Sequence, residues 1–358
     1  MNFSFSKKYF SASMAIIIII FTFLYLKEDK NKSEGKAILT SYNNPAKEIM
    51  QQNKNIKITD IKYSVGDSAE SKINSEIKIP LEKEYGVWIW NSPITMSELE
   101  MDAQVKKVKS LGFNVIYISV DDLFDYKKIN YNKALAKFIT KANSKGLAVD
   151  AVAGDTSWGK PADRNKGFLI IDYIIDYNIN NPKFRGFQYD VESYLLPEYE
   201  EGKYLVLSQF IEFIDLSAKK LVDTDIKFSI VIPHFYDSAV GWTPKIEFKG
   251  SENYTYEHLL SIMDNNKNSS IIVMAYRNFV EGENGIIDIS NNEVIQADKT
   301  KVIIAQETGN HKPYYITHFG KKFKDLNYTV MQIFYMYSNN NGFGGVAIHD
   351  LKSLNKLK

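Results

Sequence analysis

The chain has 358 residues, with 44 Lys+Arg against 43 Asp+Glu and no cysteine. The length calls for one large barrel or two domains, and a net charge of +1 argues against a nucleic-acid partner. Absence of cysteine excludes a disulfide scaffold, a Cys-ligated zinc site, a thiol nucleophile and a lipoprotein cysteine.

In chain order, Lys7 and Lys8 precede an apolar run at residues 14–26. That run makes about 20 Å of helix at about 1.5 Å per residue, and roughly 27 Å if counted from Tyr9, against a hydrocarbon layer of roughly 30 Å. The pattern fits a signal peptide or an uncleaved signal anchor at residues 1–26. No A-x-A-like cleavage site follows; Lys27, Glu28, Asp29 and Lys30 come next, which favours the anchor. The two lysines predict a cytoplasmic N-terminus, a membrane contact through this helix, and the rest of the chain outside the cell membrane or secreted. Residues 27–84, rich in Lys, Asn, Ser and Glu, read as a polar, largely extended tether. One short strand is expected at 56–63.

From Tyr85 the pattern changes to apolar runs of strand composition alternating with segments of helical period. Strands are expected at 86–90, 114–120, 147–152, 186–191, 227–232, 271–275, 301–305 and 344–348. Helices are expected at 96–111, 131–144, 168–177, 204–221 and 256–264. Ser97 can cap the first helix, and Glu98, Glu100 and Asp102 suit its positive end. Eight strand-then-helix units over residues 85–358 predict an α/β fold of the (β/α)8 TIM-barrel type. A doubly wound sheet is the alternative, but Asn91-Ser92-Pro93 after the first strand offers no glycine-rich phosphate loop.

In such a barrel the chemistry gathers at the C-terminal strand ends. Polar and aromatic residues collect there: Trp90, Asp121, Asp155 and Trp158, then Asp190 and Glu192, His234, Tyr276 and Arg277, Glu307, and His349. The fourth strand carries the sharpest signal. Gln188, Asp190 and Glu192 alternate and share one face. Two neighbouring carboxylates cannot both ionise freely, so one becomes a proton donor near neutral pH. The plainer alternative pairs one of these acids with Arg185 or Arg277. Trp90 and Trp158 are candidates for stacking on sugar faces; single rings of this kind more often fill a core.

The run Gly186-Phe187-Gln188-Tyr189-Asp190-Val191-Glu192 resembles the end of the DGxDxDxE motif of family 18 glycoside hydrolases, the chitinases and their relatives. Met274-Ala275-Tyr276 is similar to that family's M-x-Y segment, and Gly344-Gly345-Val346-Ala347 to its last strand. The resemblance implies Glu192 as acid/base, Asp190 as the group orienting a substrate acetamide, and Tyr276 as a donor to it. Arg185 and Gln188 stand where the family has aspartates. Glu307 ends the seventh strand, where many other barrel glycosidases place a nucleophile. It is a second carboxylate or a structural acid.

The expected function is glycosidic bond hydrolysis on a cell-wall or extracellular polysaccharide. Glu192, Asp190, Tyr276 and Glu307 are the catalytic candidates. Trp90, Asp121, Trp158, Gln188, His234, Arg277 and His349 are the substrate-binding ones. No cofactor and no metal is expected, because no H-x-H or HExxH spacing links the five histidines. One rival is a carbohydrate-binding barrel without catalysis, supported by Arg185 and Gln188. Another is a metal-dependent hydrolase using Asp121, Asp190, Glu192, His234 and His349.

Overall fold

The computed structural model describes residues 82–237 and 242–358. The expected anchor, nearly all of the tether and the strand at 56–63 lie outside the described residues. Among the described residues, no helix is long and apolar enough to cross a membrane.

Eight parallel strands close into a barrel. They are β1 (Glu84–Ile89), β2 (Val115–Ser119), β3 (Ala148–Ala153), β4 (Gly186–Tyr189), β5 (Lys227–Pro233), β8 (Ser270–Met274), β9 (Lys301–Glu307) and β10 (Phe343–His349). Their order around the barrel is β1-β10-β9-β8-β5-β4-β3-β2, which is the chain order closed on itself. All eight coincide with expected strands. They were legible because a parallel strand is buried on both faces and reads as a nearly continuous apolar run; β8, Ser-Ile-Ile-Val-Met, is buried throughout.

The helices α1 (Glu98–Ser110), α2 (Lys128–Asn143), α3 (Asn165–Asn180), α4 (Tyr199–Leu221) and α5 (Thr255–Met263) fall where expected. Ser97 caps α1 as the sequence indicates: its Oγ accepts from the Glu100 amide at 3.2 Å, and Glu100 Oε2 accepts from the Ser97 amide at 2.7 Å. Helix α4 begins five residues earlier than expected, because it continues through a break at Gly202 (φ −126°, ψ 34°). Three features go beyond the expectation: α6 (Ile286–Gln296), α7 (Phe323–Met336) and a hairpin of β6 (Ile246–Phe248) and β7 (Ser251–Asn253). A four-residue helix, α8 (Leu351–Leu354), follows β10.

Alternation along each strand divides the core into two layers. On β4, Phe187 and Tyr189 turn outward, and the Tyr189 ring lies 4.9 Å from Phe213 of α4. Gln188 between them turns inward and accepts from the Trp88 indole Nε1 of β1 at 2.7 Å. Gly86 makes room for this inner layer, since a Cβ there would fall 2.4 Å from the Tyr117 ring.

At the N-terminal strand ends, charged side chains close the barrel floor. Glu84 at the start of β1 pairs with Lys227 at the start of β5, and these two strands lie on opposite sides of the ring. Arg185, just before β4, holds Asp150 through Nε at 2.9 Å and Glu84 at 3.1 Å. Tyr117 donates to Glu84 at 3.1 Å. Burial pushes the Glu84 carboxyl up, but the charges and hydrogen bonds of Lys227 and Arg185 outweigh it and bring the pKa down to about 2. Arg185 is thus committed to the floor and does not neutralise Asp190 or Glu192.

Candidate active site

The opposite end of the barrel collects most of the predicted residues. Trp90 lies just past β1, Asp121 past β2, Asp190 and Glu192 past β4, His234 past β5 and Tyr276 past β8, while Glu307 and His349 are the last residues of β9 and β10. Barrel register sets Glu307 and His349 side by side. His349 Nδ1 meets Glu307 Oε2 at 2.8 Å. The other Glu307 oxygen accepts from the Gly309 amide, and His311 Nε2 lies 3.9 Å from Oε2.

Asp190 still belongs to the β3–β4 ladder through its amide, which donates to Ala153 at 3.0 Å. Glu192 leads into a single 3-10 turn, Ser193–Leu195, and that turn brings the Tyr194 hydroxyl back to donate to Glu192 Oε1. Gly154, just past β3, lies against this segment. A Cβ there would sit 1.8 Å from the Asp190 carbonyl oxygen, so only glycine permits the approach. Its amide donates to Asp121 Oδ1 at 3.0 Å, and Ser119 Oγ donates to Asp121 Oδ2 at 2.9 Å.

These carboxyl groups feel different neighbours. Burial first, and then the Glu192 charge, raises Asp190 to about 8, with His349 opposing. Asp190 Oδ1 is buried with no hydrogen-bond partner among the described residues. Burial likewise raises Glu192, against the Tyr194 hydrogen bond and the His349 charge, while Glu307 adds to the rise. Glu307 goes the other way. Burial pushes it up, but the charge and hydrogen bond of His349, then His311 and the Gly309 amide, hold it below the usual carboxylate range. Tyr276 is kept protonated by burial and by the charges of Glu307, Asp190, Glu192 and Asp350. Asp190, Glu192, Tyr276 and Glu307 therefore share one electrostatic neighbourhood.

His349 stands between two influences. Burial alone would lower its pKa, yet Glu307, Asp350 and Asp190 lift it to about 9. Trp90 Nε1 donates to His349 Nε2 at 2.9 Å. An indole N–H can only donate, so this bond holds only while Nε2 is unprotonated and the ring proton is on Nδ1, whereas the neighbouring carboxyls favour the charged ring. Protonation of Nε2 and the Trp90 bond exclude each other.

Three predicted binding residues are placed elsewhere. Gln188 is wholly buried one layer beneath Asp190, held by Trp88. Trp158 is buried with its ring edge-on to Tyr189, 6.0 Å away in the helix-facing layer. Buried Arg277 braces the loop after β8, bonding the Asn284 carbonyl at 2.9 Å and the Tyr276 carbonyl at 2.8 Å. His234 sits near the rim, and burial and the Arg277 charge lower its pKa to about 3, keeping it neutral. Among the described residues, no group of three or more His, Asp or Glu side chains is arranged to hold a metal ion.

The sequence reading missed two partners. One is Tyr194, whose i+2 spacing from Glu192 suits a tight turn. His311 has no local signal, because its approach to Glu307 depends on the loop after β9.

No family model matches the chain, and no curated protein matches it in sequence. Solved structures do. The endo-1,4-beta-mannanase from Rhizomucor miehei aligns at 9% identity over 74% of this chain and 85% of its own, with a TM-score of 0.52. The endo-1,4-beta-D-mannanase from Thermotoga petrophila RKU-1 aligns at 10% identity over 75% and 88%, with a TM-score of 0.50. This likeness is one of fold: the chain is a (β/α)8 barrel that aligns with these two mannanases. It does not single out family 18.

Proposed function

We propose that this barrel hydrolyses glycosidic bonds of a polysaccharide, with Glu192 as general acid and Glu307 as the ionised partner. The observation that carries this reading is the opposite treatment of two carboxyls at one mouth. Glu192 is pushed toward its neutral form and Glu307 toward its anion. Neutral Glu192 has a proton for the leaving glycosidic oxygen, and anionic Glu307 can attack or stabilise the anomeric carbon as that bond breaks. Water then enters at the anomeric carbon and returns a proton to Glu192. Tyr276 feels the charges of both groups, and Asp190 that of Glu192. The matched mannanases support a carbohydrate substrate. The anchor-like run at 14–26 supports a site outside the cytoplasm, on a cell-wall or extracellular glycan.

Gln188 bears on the mechanism. Its Oε1 accepts from Trp88, so the position beneath Asp190 carries no acid. That favours a two-carboxylate mechanism over an acetamide-assisted one. A second reading has its own support: both Glu307 oxygens are engaged, and its side chain is only 3% exposed. Under it, the barrel binds glycan without cleaving it, and Glu307 serves only to hold His349.

Product release from a panel of wall, exopolysaccharide and β-mannan substrates, with the anomer read by proton NMR, tests both. Glu192→Gln should lower turnover by about 10²–10⁴-fold, the usual contribution of a positioned acid. Unchanged turnover in that variant would overturn the hydrolase assignment. Saturable binding without product release, unaffected by the same change, would select the second reading.

A further inference from the structure

The two oxygens of Glu192 are not equivalent. The Tyr194 hydroxyl donates to Oε1, and among the described residues that is its one hydrogen-bond partner. The phenol has little freedom. Tyr194 is 3% exposed, and its ring stands edge-on to Phe235 at 5.5 Å and to Tyr236 at 6.3 Å. Tyr236 packs in turn on Phe210 of α4 at 6.0 Å. The Leu195 amide closes the turn by donating to the Glu192 carbonyl at 2.9 Å.

This geometry decides where an acid proton can sit. Burial keeps the phenol protonated, so its oxygen always carries a hydrogen. If Oε1 were protonated as well, two hydrogens would meet in one contact, and one would be left buried without an acceptor. With Oε1 as a bare carbonyl acceptor, the pair is satisfied. Glu192 is only partly buried, and the oxygen the phenol leaves free is Oε2.

We propose that Tyr194 is a positioning residue that keeps the proton of neutral Glu192 on Oε2. The assignment rests on the proposed function. In the glycosidic step the Oε2–H bond breaks, the proton passes to the leaving oxygen, and the electron pair of the severed C–O bond stays with that oxygen. Glu192 becomes an anion as this happens, and a donor bonds an anion more strongly than a neutral carbonyl. The phenol therefore favours proton release, and it lowers the Glu192 pKa against the rise that burial causes.

The full chain, labelled with carbon-13 at its Glu carboxyls, gives the titration of Glu192 by NMR, assigned by its loss in Glu192→Gln. Tyr194→Phe keeps the ring and removes the donor. It should raise that titration by about one pH unit, move the alkaline limb of the rate profile the same way, and lower kcat about tenfold. The C=O stretch of neutral Glu192, read by infrared difference against Glu192→Gln, should rise, because Oε1 loses its donor. Tyr236→Phe deletes a neighbouring buried hydroxyl that has no partner among the described residues, and should move neither titration nor stretch. An unmoved stretch or titration in Tyr194→Phe, or an equal movement in Tyr236→Phe, overturns the proposal even where kcat falls. Moved titration and stretch in a protein that releases no product from any glycan sink the hydrolase and leave the proton placement standing.

Discussion

The two ends of the barrel both collect buried acids and handle them in opposite ways. At the floor, Glu84 and Asp150 face Arg185 and Lys227, two acids against two bases, and Glu84 is held ionised. At the mouth, Asp190, Glu192 and Glu307 share His349, with His311 beside Glu307 alone, and two of the three carboxyls are pushed toward their neutral forms. Charge at the floor is compensated, which closes the barrel. Charge at the mouth is left short of counter-ions, which costs stability and yields groups able to move protons near neutral pH. Burial by itself does not decide a carboxyl's state; the cations and donors beside it do.

The largest effect should come from Glu307→Gln. Loss of the anion should lower turnover by about 10³-fold or more and abolish covalent labelling by a fluorosugar inactivator. Labelling that persists in this variant would remove Glu307 from the nucleophile role and blur the contrast between the two ends.

Next comes Arg185→Met, which strands buried Asp150 without its main cation. Removing one partner of a buried pair is strongly destabilising. Arg185 is 33% exposed, so a loss of about 3 kcal/mol, the low end of that range, is expected by urea denaturation. The double variant with Asp150→Leu should recover most of it. A single variant as stable as wild type would deny the floor its structural role.

A smaller, pH-dependent effect should follow Asp190→Asn. The Asp190 carboxyl titrates higher in the folded protein, about 8, than in the unfolded chain, near 3.8. Its contribution is therefore fully present below about pH 4 and is lost as the pH rises through about 8. The variant should gain on wild type over that window, by about 2–4 °C in melting temperature at pH 8 and by nothing at pH 4. The floor has the reverse sign. Glu84, lowered to about 2, stabilises above its ordinary pKa near 4.5, and that contribution is lost as the pH falls toward 2. A melting curve that falls at both extremes, with the alkaline arm flattened by Asp190→Asn and the acid arm untouched, would confirm the division.

The smallest effect belongs to Trp90→Phe. Without the indole N–H, only burial opposes protonation of His349 Nε2, so the imidazole should titrate higher by NMR. The rate should change modestly through the lower pKa of Glu307. An unshifted His349 titration would mean that the Trp90 bond exerts no pull.

Much of this was legible in the sequence, and the limits have physical causes. The eight strands announced themselves because they are buried on both faces. Helix α6 did not, since Asn291, Asn292 and the isoleucines give it weak helical propensity. The hairpin has strands of three residues, too short for alternation to register. At the mouth, a strand end is a local property, and Asp190, Glu192, Glu307 and His349 were found from it. Their partners join positions far apart in the chain, as Trp90 joins His349 and Trp88 joins Gln188, and no local pattern records such contacts. Trp158 shows the converse, because ring composition reports burial without saying which layer the ring enters.

The pairing of Glu84 with Lys227 has a consequence for how the chain assembles. During synthesis the first four strands emerge before the fifth, and Glu84 and Asp150 have only Arg185 as a cation among these floor groups until Lys227 arrives. A half-barrel ending before β5 would hold an unmatched acid at its open base. Each half thus depends on the other for its closing ion pair, so the barrel should fold and unfold as one cooperative unit, and fragments split between β4 and β5 should associate with each other before either acquires stable structure.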